Sequence, residues 1–160
     1  MKRQIESKSI RVPKQHLEFM QQLTGRSRYP KSDAPFSTFY DALIFSAVLG
    51  FDAKQRELLA PGSGADPILY STMSSNVQFE ALLAIFAVLN SKDDHTCLSG
   101  DKADARIEMF EEYACAGLTL LKEAHVGYGG SLRDYVETEV VRELSSISDE
   151  FESEEEESSS

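Results

Sequence analysis

Cysteine occurs only twice, at Cys97 and Cys115, with no CxxC pair and no neighbouring pair of histidines. That pattern argues against a disulfide framework or a zinc site and predicts two free, buried thiols. Long hydrophobic runs are missing too. The longest apolar stretches, ALIFSAVLGF (42–51) and ALLAIFAVL (81–89), reach about half of the roughly 20 residues a membrane-spanning helix requires, so both are expected as core helices. The charged N-terminus lacks a following apolar segment of the secretory type, and a cytoplasmic protein without membrane contact is expected. Catalytic signatures are equally scarce. No Walker-type GxxxxGK loop, GxGxxG turn, HExxH helix or GxSxG elbow occurs, which removes the parts that nucleotide hydrolysis, dinucleotide chemistry and the familiar hydrolases need. Neither enzymatic activity nor a cofactor is expected.

Charge is present but unevenly placed. Through Lys31 there are eight lysines and arginines against two acids, Glu6 and Glu18, while the whole chain has a formal charge of −11. The front therefore carries +6 and the remainder −17. Past Arg142 there is no basic residue, and seven acids fall in the last twelve positions. A like-charged, low-complexity run of this kind cannot bury enough surface to offset its ordering entropy. Residues 146–160 are accordingly expected as a disordered acidic Ser/Glu tail. The rest, at 41% hydrophobic over a 160-residue chain, suits one domain over 1–145 with a basic arm over 1–36.

The expected fold class is mainly α, a compact helical domain with a short N-terminal β-strand. Residues 8–12 alternate, Ile10 and Val12 on one face and Ser9 and Arg11 on the other, as a half-buried strand requires. Leu17, Phe19, Met20 and Leu23 predict a helix opened by Pro13 and stopped by Gly25. A basic loop over 26–36 follows. Ser37 or Thr38 caps a helix over 38–50, with Asp41 where a capping-box acid would follow Thr38; it is closed by Gly50 and so apolar all round that it belongs at the centre of the fold or in a dimer interface. A homo-oligomer is expected on that ground. Residues 52–60 suggest another helical turn or two, 61–67 a loop, and 77–89 a second apolar helix. Over 101–122 an amphipathic helix places Ile107, Phe110, Ala114, Gly117, Leu118 and Leu121 inward and Glu108, Glu111, Glu112 and Lys122 toward water, until GYGG (127–130) ends it. Ser131 with Asp134 caps a last helix carrying Leu132, Val136, Val140 and Leu144 on one face.

A strand followed by two helices near a basic N-terminus resembles the ribbon-helix-helix plan, in which two chains pair their strands into a ribbon that enters the major groove of DNA. The resemblance implies that Ser9 and Arg11 face base edges and that Ser37 and Thr38, at a helix start, grip a phosphate. Lys8, Lys14, Arg26, Arg28 and Lys31 would add phosphate contacts. The inter-helix linker is longer than that plan normally uses, and the rest of the chain has no counterpart in it. DDHTC (93–97) is a local gathering of metal-ligand types, but on a loop with no second pair elsewhere it reads as a helix connection, and no metal is expected. His16 and His125 read as isolated.

Three stretches, PFSTFYDALIFSAVLGF (35–51), KQREL (54–58) and ARIEMFEEYACAGLTLLKE (105–123), resemble the DNA phosphorothioation-associated proteins of the fourth type. These small proteins accompany bacterial Dnd systems, which exchange a phosphate oxygen of DNA for sulfur and restrict unmodified invading DNA. The likeness runs from about Ser9 to His125. It implies an accessory or regulatory component of a phosphorothioation-dependent anti-phage restriction-modification apparatus, with duplex DNA and other Dnd proteins as partners. The alternative is an adaptor that never touches DNA and uses its acidic surface and tail to hold a basic partner or to mimic DNA.

Overall fold

The computed structural model describes residues 9–60, 68–75, 77–92 and 94–158, with 77 and 146–158 as backbone only. The elements run β1 (Ser9–Ile10), α1 (Leu17–Thr24), α2 (Phe39–Asp52), β2 (Ile68–Leu69), α3 (Tyr70–Ser74), α4 (Val77–Asn90), α5 (Ala103–Tyr128) and α6 (Leu132–Ser158), with short 3-10 turns between them. The fold is mainly α, and no described helix is long and apolar enough to cross a membrane.

Local chemistry explains most of the boundaries. Gly25 adopts φ 63°, and the Arg26 N–H returns 2.9 Å to the Gln21 carbonyl, so α1 stops as a left-handed glycine makes helices stop. The Thr38 hydroxyl accepts the Asp41 N–H at 3.1 Å and donates to the Asp41 carboxylate at 2.8 Å, capping α2. The Ser131 hydroxyl accepts the Asp134 N–H and starts α6 in the same way.

Gly50 differs from its expected role. Instead of closing α2 it lies inside the helix, where a Cβ would stand 2.2 Å from the Tyr113 carbonyl oxygen; on α5, a Cβ at Gly117 would stand 1.7 Å from that of Ser46. Both glycines let the backbones of α2 and α5 touch, and this seam is the most extensive packing between elements among the described residues. It also answers why α2 is so apolar. Its inner residues Ala42, Leu43, Ser46 and Ala47 are buried against the chain's own core, while Phe51 stacks on Phe86 of α4 at 4.4 Å with Tyr113 edge-on to both. Tyr70, Phe79 and Phe110 continue the aromatic packing across α3, α4 and α5. Residues 53–60 are not helical, contrary to the extra turns expected there, and 61–67 lie outside the described residues.

β1 finds its partner within the chain. It pairs antiparallel with β2, Ser9 opposite Leu69 and Ile10 opposite Ile68, so the paired edge of the strand meets its own chain rather than a second copy. At the other end, the α6 backbone stays helical through the acidic run to Ser158, where disorder was expected from 146. Glutamate is a good helix former, and a helix already nucleated by a capped, packed first half extends at little cost. Leu132 and Val136 are buried, whereas Val140 and Leu144 are exposed.

Candidate functional site

The cations at the front of the chain do not act as one set. Lys8 lies outside the described residues. Ser9 is half-buried beside β2. Arg11, expected to face outward, turns onto α5, where its backbone N–H (2.6 Å), Nε (3.0 Å) and Nη2 (3.1 Å) all donate to Glu111. Lys14 is exposed in the 3-10 turn Lys14–His16. Ser37 is exposed just ahead of the α2 cap, whose N-terminal turn also holds the acid Asp41. The remaining three, Arg26, Arg28 and Lys31, share the loop after α1 and are all exposed.

That loop has a defined shape. Gly25 and Ser27 both take positive φ, the Tyr29 N–H bonds the Arg26 carbonyl at 3.2 Å, and Lys31 packs so closely on Gly25 that a Cβ there would meet its Cα at 2.7 Å. Positions 26 and 31 are thereby brought next to one another. The Arg26 guanidinium lies 4.3 Å over the Phe39 ring. Arg28 pairs with Glu18, which also accepts the Tyr29 hydroxyl at 2.7 Å, and these two donors, Tyr29 first, hold the Glu18 carboxyl below its ordinary value.

Glu111 and Glu112 correct a sequence expectation. Rather than facing water they are 4% and 8% exposed. Glu111 takes the Arg11 fork, and Glu112 takes Arg56, Nε at 2.7 Å and Nη2 at 2.6 Å. Burial pushes the Glu111 carboxyl up, against the pull of the Arg11 donors. Buried carboxylates of this kind require a partner because an unpaired charge there is costly.

A second polar cluster lies beneath the 3-10 turn. His16 Nε2 is 2.9 Å from the Thr119 hydroxyl, which donates to Glu57 Oε2 at 2.7 Å, and Gln15 Nε2 donates to the Cys115 sulfur at 3.1 Å. Thr119 has one proton and the carboxylate is its stronger acceptor, so Nε2 is the protonated nitrogen of His16 and donates to Thr119. Its Nδ1, buried, has no hydrogen-bond partner among the described residues. Burial holds the imidazole below its ordinary pKa against the pull of Glu57, and pushes the Cys115 thiol, with Glu57 beside it, up to about 12. A thiol that is fully buried and protonated is a poor nucleophile. His16 is thus far from isolated. Nothing local announces this grouping, because its members come from three separate stretches of sequence.

The DDHTC segment, by contrast, behaves as a connection. Asp94 caps the 3-10 turn His95–Leu98 through the Thr96 N–H and hydroxyl, and Arg106 donates to the carbonyls of Cys97 and Ser99. Asp93 lies outside the described residues. Both cysteines are free, Cys115 buried and Cys97 half-buried.

Comparison with protein families returns DNA sulphur modification system-associated protein 4, matched over residues 9–159. No curated protein and no solved structure matches the chain.

Proposed function

The chain belongs to the family of DNA sulphur modification system-associated protein 4, and from that premise we propose that it is a non-catalytic accessory of the DNA phosphorothioation machinery that docks on duplex DNA through the loop after α1. The observation that carries this reading is the gathering of Arg26, Arg28 and Lys31, all exposed, on one loop folded back over Gly25. Phosphates are met by such point charges without any sequence code, so the contact positions the protein and does not read bases. The ribbon mode has little support, since β1 pairs in-chain and Arg11 is committed to Glu111. Restriction of invading DNA would then belong to partner Dnd proteins, which this chain regulates.

A fluorescence anisotropy titration with duplex DNA tests the reading. With Arg28 held by Glu18, the two phosphate contacts of Arg26 and Lys31 imply a roughly 12-fold fall in affinity between 50 and 200 mM salt. Arg26→Glu with Lys31→Glu should abolish most of that dependence. Binding that ignores both salt and the double reversal would defeat the proposal.

The adaptor reading is favoured by a different observation. Its carrier is α6, a helix of 27 residues with only two basic residues, Arg133 and Arg142. At about 1.5 Å per residue it is roughly 40 Å long, an extended helix of acidic sequence suited to a basic partner protein. Self-association also remains part of the proposal, on narrower ground than before. Val48 is exposed beside an apolar groove of about 360 Å³ that Phe45 and Leu49 share with Leu121, Val140 and Leu144.

A further inference from the structure

His16, Glu57 and Cys115 play no part in DNA docking, yet each offers a ligand atom within 4.8 Å of the other two. We propose that these three residues bind a divalent transition metal, zinc by the chemistry of the ligands, and that the ion clamps the turn before α1 and the segment after α2 onto α5.

Thiolate, imidazole and carboxylate together are a zinc ligand set, softer than the all-oxygen sites of calcium or magnesium. Tetrahedral zinc, with bonds of about 2.0–2.3 Å, wants its ligand atoms roughly 3.3–3.6 Å apart. Closing from the present spacing needs side-chain movements on the order of 1 Å, which the half-buried Glu57 can supply.

A second observation points the same way. His16 is 6% exposed and its Nδ1 has no hydrogen-bond partner among the described residues. A buried nitrogen lone pair of that kind is left wanting by the protein, and a cation satisfies it. Thr119, in hydrogen-bond contact with both His16 and Glu57, serves as the outer contact that metal ligands have. The cation also relieves the placing of a carboxylate against a thiol by drawing off the thiol proton. Three protein ligands leave the fourth position to water.

The 160-residue chain, stripped with a chelator and dialysed, is titrated with Co²⁺ as a spectroscopic stand-in for zinc. One equivalent should produce a thiolate-to-cobalt charge-transfer band and tetrahedral d–d bands, both removed by added Zn²⁺. Cys115→Ser should lose the charge-transfer band, and Cys97→Ser should keep it. Thr119→Val should weaken affinity by roughly 10–100-fold. The titration of the unaltered chain decides by itself, so a variant that fails to fold cannot rescue the idea. Absence of the band there overturns the site, as does an undiminished band in folded Cys115→Ser.

Discussion

Replacing Gly117 by alanine probes the α2–α5 seam with one methyl group. The added Cβ would stand 1.7 Å from the Ser46 carbonyl oxygen and 2.5 Å from its carbon. An ordinary C···O contact is about 3.3 Å, so the helices must part by roughly 1.5 Å. No side chain can swing away, since the obstacle is backbone. A gap of 0.5–1 Å already forfeits a quarter to a half of each dispersion contact, and the seam holds buried residues of both helices. We expect an overpacking cost of about 3 kcal/mol, the upper part of the usual range, against about 1 kcal/mol gained from the better helix propensity of alanine. The net loss of roughly 2 kcal/mol should lower Tm by about 4–8 °C for a chain of this size. Gly127, on the same helix with nothing within 4 Å of its would-be Cβ, is the internal control, and Gly127→Ala should leave Tm unchanged or raise it. Thermal melts followed by circular dichroism report both variants. If Gly117→Ala matches Gly127→Ala, the backbones do not touch and the account of α2 is wrong.

Other consequences are open to measurement. Arg11→Ala strands the buried Glu111 carboxylate and should cost roughly 2–3 kcal/mol in urea denaturation, below the usual figure for broken buried pairs because Arg11 is 44% exposed; Arg11→Ala with Glu111→Gln should recover part of it. Thr38→Ala removes the α2 cap and should cost about 1 kcal/mol in the same assay. The Glu18 carboxyl should titrate below its ordinary value by NMR, and Tyr29→Phe should move it back up. Because that folded-state pKa is depressed, its small stabilising contribution is present above the ordinary carboxylate pKa and fades as pH falls through the lowered one.

Much of the helical plan was legible in the sequence, because period and punctuation are local signals. Thr38 with Asp41, Gly25 after Leu23, and Ser131 with Asp134 each mark a boundary found in the structure. Gly50 misled for a physical reason: glycine serves both as a stop and as a place where backbones meet, and only the partner helix decides which. Glu111 and Glu112 misled similarly, as paired acids look solvated until Arg11 and Arg56 arrive from distant positions. β2 and α3 are too short to generate a period at all. Of the front cations, only those on one loop were brought together, because charge counts along a chain contain no information about which carboxylates will claim which arginines. The grouping of His16 with Glu57 and Cys115 exists only once α5 is in place.

Glu111 and Glu112 are neighbours in sequence and so lie about 100° apart around α5. One receives an arginine from the chain's beginning, the other an arginine from just after its first long helix. Neither arginine has a destination until this stretch of α5 has coiled and presented the two acids at that angle. α5 therefore acts as the gauge against which earlier-synthesised segments are set, and in refolding the docking of residues 11 and 56 should trail the appearance of that helix.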